Sequence, residues 1–194
     1  MNLYDFDGTI YDGDTCKNLI IFGLKKYPFI TLKSLVSALD TNVKCKYGKT
    51  TFEKVKEKLL SFIFEIPNYK DFINDFVKTH LKKIKPWYLK QQTKNDVIVS
   101  ASYDLLINEF AKELNIKYVV ATKVNDKGKI IGRNCKGKEK VFRIKKLFPN
   151  KRFIKSFSDS SSDIPILELS SKSYVVENNN IFRYKRGYKF KNNR

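Results

Sequence analysis

Two aspartates near the start of the chain, Asp5 and Asp7, are separated by one residue and followed by Gly8 and Thr9. The apolar residues before them predict a short strand, and open α/β sheets bind ligands beyond the carboxyl ends of their strands. Two carboxylates this close repel each other and favour a bound cation or a shared proton. An ordinary turn after an edge strand is the alternative interpretation, because Asp-Gly-Thr is common turn chemistry.

Polar residues also follow two later runs of strand character. Ser100 ends a β-branched run, and Asp159 and Asp163 lie in a serine-rich segment after another. Lys140 lies at the predicted start of a helix, where the helix dipole disfavours a cation unless acids are near. Together these residues offer a nucleophile, a second acid, a hydroxyl donor and a fixed cation, which suits phosphoryl transfer. Ordinary polar caps would explain each residue singly.

The elements that must position these residues alternate along the chain. Strands are predicted at 96–100, 117–122, 152–157 and 173–176, and the strand at 173–176 is expected to be the last. A small hairpin is predicted at 125–132. Helices are predicted at 103–114, 139–148 and from 164 onward. This alternation predicts an α/β fold, a Rossmann-like doubly wound parallel sheet with right-handed crossovers.

Between the first two strands the pattern is helical, with apolar residues three and four apart. Helices are predicted around 33–39, 51–64 and 69–81, with a break at 66–68. Because no strand intervenes, the segment predicts an all-α insertion. The expected organisation is an α/β core formed by 1–13 and 91–194, with a helical cap at 14–90.

Composition describes a globular chain that should attract anions. Of its 194 residues 42% are hydrophobic and 30% charged, and the formal net charge is +19. Such a charge attracts phosphate-bearing partners, nucleic acid or an anionic membrane surface. Nucleic acid is the less favoured partner, because the cations are mostly Lys and the first Arg is Arg133. The tail after Glu177, which runs to Arg194, is basic and predicted to be partly mobile.

Cysteine usage and the amino terminus favour a cytoplasmic location. Cys16, Cys45 and Cys135 are widely spaced and odd in number, which predicts neither a disulfide framework nor a zinc site. Asp5 and Asp7 fall where a secretory leader would be apolar. The most apolar run, residues 19–24, is too short to span a membrane.

Four short motifs occur in an order that resembles the haloacid dehalogenase superfamily of phosphatases. The run from Asp5 to Thr9 matches the first motif and Ser100 the second. Lys140 matches the third, with Lys138 as a rival two residues earlier, and the acidic segment at 159–163 matches the fourth. The chain is most similar to subfamily IB, the branch that resembles phosphoserine phosphatase and carries a helical C1 cap.

The resemblance implies a covalent mechanism. Asp5 would attack phosphorus and form an aspartyl-phosphate, and Asp7 would protonate the leaving oxygen and then activate water, helped by a pKa raised beside its neighbour. Mg²⁺ would be held by Asp5, the Asp7 carbonyl and Asp159. Asp163 would orient the metal shell or the active-site lysine.

The same resemblance implies how the phosphate is bound. Ser100 would donate a hydrogen bond to a phosphoryl oxygen, in a site that Gly8 and Thr9 also form. Lys140 would balance the charge of Asp5 and the phosphate. The family usually has Gly where this chain has Ser158, and a positive φ there would cost about 1 kcal/mol for Ser.

Substrate identity should depend on the cap. Asp14 lies where phosphoserine-cleaving relatives place an acid for the substrate ammonium, although a helix N-cap is the favoured interpretation. The absence of Arg before Arg133 argues against a bidentate clamp on a substrate carboxylate. The expected substrate is therefore another small phosphorylated molecule. The apolar cap segments at 19–24 and 29–39 would suit a lipid phosphate at a membrane surface, but a packed cap core is the favoured interpretation.

The leading hypothesis is a Mg²⁺-dependent phosphomonoester hydrolase. A phosphotransferase would use the same aspartyl-phosphate and a different acceptor. A basic protein that binds nucleic acid or anionic lipid on an inactive scaffold is the alternative from another class.

Overall fold

The computed structural model describes residues 1–191 and contains one mixed sheet. Its strands are β1 (Leu3–Asp5), β2 (Val97–Tyr103), β3 (Tyr118–Thr122), β4 (Phe153–Ser158), β5 (Ser170–Glu177) and β6 (Asn180–Arg183). They are ordered β3-β2-β1-β4-β5-β6. All neighbouring pairs are parallel except β5 and β6. The predicted α/β fold with a mainly parallel sheet is confirmed.

Helices fill the connections between the strands. Between β1 and β2 lie α1 (Thr15–Lys26), α2 (Pro28–Lys46), α3 (Phe52–Leu59), α4 (Phe62–Glu65), α5 (Tyr69–His80) and α6 (Pro86–Leu89). The later connections carry α7 (Asp104–Glu113), α8 (Lys138–Leu147) and α9 (Ile164–Leu167). None of the helices within residues 1–191 has both the length and the apolar composition needed to cross a bilayer.

Hydrophobic clusters cover both faces of the sheet. Alternate residues of β1 point to opposite faces, so Tyr4 packs in one cluster and Leu3 in the other. The Tyr4 cluster includes α7 and the inserted helices, and the rings of Phe76 on α5 and Phe110 on α7 lie 6.2 Å apart. The inserted helices therefore share one continuous core with the sheet, which holds them over its carboxyl edge.

Three predicted elements differ in the structure. The helix predicted at 51–64 is divided, since α3 ends at Leu59 and α4 begins at Phe62. The predicted hairpin is reduced to one antiparallel bridge between Val124 and Ile130. The strand predicted to be the last is followed by β6, whose exposed residues carry no alternating pattern; it forms by backbone pairing after a turn in which Asn178 takes φ 55°. The end of the basic tail, including Arg194, lies outside the described residues.

Candidate active site

The centre of the sheet brings together polar residues from three strand ends. β1 lies between β2 and β4, with Leu3 paired to Val97 on one side and Ser156 on the other. Asp5 is the last residue of β1, and Asp159 directly follows β4. Because these strands are parallel, their carboxyl ends meet at one edge, where the order of connections reverses and ligands bind in such folds.

Lys140 is the cation that contacts Asp5. Its Nζ donates hydrogen bonds to Asp5 Oδ1 at 2.6 Å and to Asp163 Oδ2 at 2.8 Å. The Lys140 side chain is only 3% exposed, although it lies in the first turn of α8. Lys138, its rival in the sequence, is exposed on the same turn. The structure therefore places Lys140 at the carboxylates and leaves Lys138 in solvent.

Burial and charge act against each other in this cluster. Burial is the largest influence on Asp5 and raises its pKa, Lys140 opposes the rise, and the carboxylates of Asp163 and Asp159 add to it. Burial alone would lower the pKa of Lys140, but the charges of Asp163 and Asp5 outweigh it and raise that pKa. The ammonium is thus held charged, beside a buried carboxyl group whose ionisation would be favoured by further positive charge.

Asp7 is fixed by two donors from different elements. Its Oδ1 accepts the Thr15 N–H at 2.6 Å, and its Oδ2 accepts the Ser102 hydroxyl at 2.8 Å. Burial raises the pKa of Asp7, whereas these hydrogen bonds lower it in part. The raised pKa expected from the sequence is present, but its main cause is burial and not the neighbouring carboxylate. Asp7 is therefore oriented, and its environment favours proton binding.

Gly8 and Thr9 hold the turn behind the two aspartates. Gly8 has φ 79°, and a Cβ there would clash with Asp159 Oδ2. Thr9 Oγ1 lies 3.2 Å from Asp5 Oδ2 and 3.4 Å from Asp159 Oδ1, and it accepts the Asp159 N–H. Neither residue lines the described cavity wall. Both were predicted to bind substrate, but their positions suit them to bringing the Asp5 and Asp159 carboxylates together.

Ser158 occupies the position where the family pattern has Gly. It is not among the residues with positive φ, so the backbone cost anticipated from the sequence does not arise. Its hydroxyl donates to Asp163 Oδ2 at 2.9 Å and accepts the Ser160 N–H. Asp163 thus contacts both Ser158 and Lys140, which is consistent with its expected orienting role.

Ser100 lies in the middle of β2 and is 1% exposed. The strand was predicted to end at Ser100, but β2 continues to Tyr103. The Ser100 hydroxyl accepts the N–H of Ser102 at 3.0 Å. The cavity wall at this strand is formed by Ala101 and Ser102, while Ser100 lies behind it. Ser100 therefore does not line the cavity, and its contact with substrate remains a prediction.

A cavity of about 290 Å³ lies above the carboxylates. Its floor comes from the sheet edge and includes Asp5, Asp7 and Lys140. Its roof comes from the inserted helices and is mostly apolar: Phe52, Val55, Leu59 and Leu60. The cavity therefore combines a charged floor with an apolar roof, as small-molecule sites usually do.

A buried lysine side chain connects the roof of the cavity to the core. Lys56 on α3 is 9% exposed, and its Nζ donates to the Ala101 carbonyl and, at 2.9 Å, to Asn134 Oδ1. The adjacent Glu57 accepts the Ile130 N–H at 2.9 Å. Two successive residues of α3 thus connect the inserted helices to β2 and to the segment between β3 and α8.

Asp14 has the capping role that the sequence favoured. Its Oδ1 accepts the Lys17 N–H at 2.9 Å at the amino end of α1. It also lines the cavity. The two interpretations of Asp14 are therefore compatible, because the capping bond uses Oδ1 and the residue also lines the cavity.

The carboxylates at the sheet edge fit a hard divalent cation. Asp5 and Asp159 converge on the Thr9 hydroxyl, and Asp163 Oδ1 is buried without a hydrogen-bond partner among the described residues. Mg²⁺ prefers oxygen ligands and keeps several waters. Within residues 1–191 no three acidic, imidazole or thiolate side chains form a closed metal cage. A cation here would need a backbone carbonyl and water besides the two carboxylates.

Sequence reasoning missed Lys56, Ser102 and Thr15. Lys56 carried a usable signal, since it falls on the stripe formed by Phe52, Val55 and Leu59, where a lysine is out of place. Ser102 lies beyond the predicted end of its strand, in a part of β2 where the register shifts between Val99 and Tyr103, so strand alternation did not reveal it. Thr15 contributes its backbone N–H, which no side-chain pattern reveals.

The sequence of residues 3–168 matches the family model for haloacid dehalogenase-like hydrolases. The chain belongs to this family. The resemblance found in the four motifs is thereby confirmed at the level of the family.

One curated protein matches part of the sequence, and solved structures share the fold. Protein CicA of Caulobacter vibrioides is 35% identical over 88 residues, which span 41% of this chain and 40% of CicA. A Bordetella pertussis protein of unknown function has a TM-score of 0.61 at 17% identity, covering 89% of this chain and 87% of that one. A phosphoserine phosphohydrolase-like protein from Francisella tularensis has a TM-score of 0.53 at 19% identity, covering 89% and 84%. At these identities the solved structures show the shared fold.

Proposed function

We propose that this hydrolase is a Mg²⁺-dependent phosphomonoesterase that acts through an aspartyl-phosphate on Asp5. The observation that carries the proposal is the position of Asp5, at the end of the central strand, 2.6 Å from a buried lysine and beneath a cavity. A nucleophilic carboxylate needs nearby positive charge to approach an anionic phosphate, and Lys140 supplies part of it.

In the first step the Asp5 carboxylate attacks phosphorus and the bond from phosphorus to the ester oxygen breaks. Asp7, protonated, gives its proton to the departing oxygen, so an alcohol leaves. Its raised pKa favours that protonated form. Thr15 and Ser102 keep the carboxyl group oriented during the transfer.

In the second step water attacks the phosphorus of the aspartyl-phosphate. Asp7 takes the proton of that water, inorganic phosphate departs and the Asp5 carboxylate is restored. Lys140 stays paired with Asp163 throughout, so its charge remains at the reacting oxygens. Mg²⁺, held by Asp5, Asp159 and the Asp7 carbonyl, would supply the remaining positive charge that the phosphoryl group requires.

The proposed substrate class is a small organic phosphate whose leaving group meets the apolar roof. Phe52, Val55 and Leu59 offer that surface, and the charged side chains of Lys56, Lys136 and Asp14 also line the cavity. No arginine lines the described cavity wall. A substrate carboxylate would normally be recognised by a bidentate arginine, so phosphoserine is a poor fit.

The test is phosphate release from a panel of phosphomonoesters, with Mg²⁺ and with chelator. Wild type should turn over at least one ester only with Mg²⁺, and Asp5→Asn should lose about a thousandfold or more in kcat. Asp126→Asn, an exposed aspartate in the 125–128 turn, is the matched control and should keep wild-type activity. Unfolding temperatures verify that both variants are folded.

Two other outcomes would replace the proposal. Consumption of ester with little phosphate release, and appearance of a phosphorylated added alcohol, would indicate a phosphotransferase. Absence of turnover, with salt-sensitive binding to a polyanion that survives Asp5→Asn, would indicate a binding protein on an inactive scaffold.

A further inference from the structure

Helix α2 carries its side chains in the reverse of the usual arrangement. The residues that it buries against its neighbours are small, and most are polar: Thr31, Ser34, Ala38 and Thr41. The Ser34 hydroxyl donates to the carbonyls of Lys58 and Leu59 at 2.6 and 2.9 Å, so α2 packs closely on α3. Surface helices normally turn their large apolar residues toward the core.

The large apolar residues of α2 instead face outward. We call them the α2 stripe: Phe29, Leu32, Val36, Leu39 and Val43, each between 54% and 87% exposed. Their spacing of three and four residues places them on one side of the helix. The packed cap core favoured by the sequence is therefore wrong for these residues. A contiguous exposed apolar surface of this kind marks an interaction site.

Cations accompany the stripe. Lys33, Lys44 and Lys46 are exposed on the same helix, and Lys25 is exposed at the end of α1. Between residues 15 and 59 there are ten lysines and three acidic residues. Asp40, the acid of α2, is paired with Lys44 at 2.7 Å. The surroundings of the stripe are thus strongly positive.

Charge distinguishes between the two occupants that an apolar stripe suggests. A second copy of the chain would bring one lysine-rich surface against another, and each copy carries a formal charge of +19. An anionic bilayer offers hydrocarbon for the stripe and negative headgroups for the lysines. We infer that the α2 stripe binds the surface of an anionic membrane, with the helix lying in the plane of the interface.

The stripe is separated from the cavity by α3, on which α2 packs through its small buried residues. Phe52 at the start of α3 is both 60% exposed and part of the roof. The binding itself does not depend on the proposed phosphatase activity.

The experiment is vesicle flotation of the full chain with two lipid compositions. Phosphatidylcholine vesicles with a third phosphatidylglycerol should carry the protein, and pure phosphatidylcholine vesicles should not. Leu32→Gln/Val36→Gln/Leu39→Gln should weaken binding at least about tenfold, because the buried apolar area is lost. The matched control, Ile131→Gln/Leu147→Gln/Ile154→Gln, alters residues 51–55% exposed elsewhere and should bind like wild type. Lys25→Gln/Lys46→Gln should weaken binding roughly fivefold or more, an effect that added salt should mimic.

Three results would overturn the inference. They are absence of flotation with anionic vesicles, equal loss in the stripe and control variants, and a concentration-dependent dimer that the stripe variant abolishes while vesicles capture neither protein. Asp5→Asn should float like wild type. Failure of phosphate release therefore leaves the membrane inference standing, and failure of flotation leaves the phosphatase proposal standing.

Discussion

The sheet edge and helix α2 both reverse the rule that charges lie outside and apolar side chains lie inside. At the sheet edge Asp5, Lys140 and Asp163 are almost completely buried, whereas on α2 the α2 stripe is exposed and small polar residues are buried. At the edge, hydrogen bonds of 2.6 and 2.8 Å within the chain compensate the buried charges. On α2, the described chain offers nothing that covers the apolar side chains.

The two regions differ in what compensates the unusual burial. Hydrogen bonds within the chain do so at the sheet edge, whereas the α2 stripe would need an external partner. A buried charge is tolerated only when partners satisfy it, so the sheet edge must be complete before substrate arrives. An exposed apolar stripe reduces the stability of the folded chain little, and the surface that covers it can be a lipid bilayer. Under the two proposals, one region is preorganised for chemistry and the other is arranged for association. Substitutions should separate these two roles.

The largest expected effect on stability is that of Lys140→Met. Removal of the ammonium leaves Asp5 and Asp163 buried without their shared partner, which should cost about 3–5 kcal/mol in the free energy of unfolding. Activity should fall about a hundredfold or more, because a preorganised charge next to the phosphoryl group is lost. Urea unfolding and phosphate release measure the two effects.

Lys138→Met is the matched control for that variant. Lys138 is exposed two residues earlier on the same helix, so both measurements should stay near wild type. Equal losses in the two variants would remove the contrast between buried and exposed charge, and with it the assignment of Lys140.

Lys56→Met tests the contact between the roof and the core. The variant keeps the length of the side chain but loses the hydrogen bonds to Ala101 and Asn134. Helix α3 should therefore be held less accurately over the floor of the cavity. We expect kcat/KM to fall about 10- to 100-fold, the scale of a small misplacement of substrate. Lys58→Met, on an exposed position of the same segment, should have little effect. A wild-type kcat/KM for Lys56→Met would show that the contact is dispensable.

Glu57→Gln should give the smallest effect, mainly on stability. Burial raises the pKa of Glu57, but hydrogen bonds from Lys54 and the Ile130 N–H outweigh it and lower that pKa overall. Its folded pKa then lies below the unfolded value of about 4.3, so its stabilisation is present at neutral pH. That stabilisation is lost as the pH falls through the folded pKa.

The corresponding measurement is urea unfolding of wild type and Glu57→Gln between pH 7 and pH 3. The variant should be about 1–2 kcal/mol less stable at pH 7, and the difference should shrink toward pH 3. Glu53→Gln, one turn earlier on α3, is the control and should differ little from wild type. A difference that grows on acidification would mean that the sign is wrong.

Much of the fold was predictable because it depends on local patterns. β-branched runs predicted β2 and β3 within a few residues, and the apolar spacing at 69–81 predicted α5. β6 was not predictable, since its exposed residues satisfy only a backbone ladder. The apolar residues at 29–39 were expected to be packed in the cap core, and most of the large ones are exposed. Periodicity was the reason for the error, because a pattern three and four residues apart defines a face and does not say what the face contacts.

The sequence by itself determined the residue types at the three strand ends and their order. Those positions follow from short motifs, and parallel strands bring their ends to one edge. Only the tertiary structure showed that Lys140, and not Lys138, contacts Asp5. It also showed that Thr15 and Ser102 donate hydrogen bonds to Asp7. The contact between Lys56 on the roof and Asn134 in the core was likewise visible only there. These contacts join residues far apart in the chain, and they form only because of the way the helices pack on the sheet. The outward direction of the α2 stripe was decided in the same way, because close packing of α2 on α3 admits only its small side chains.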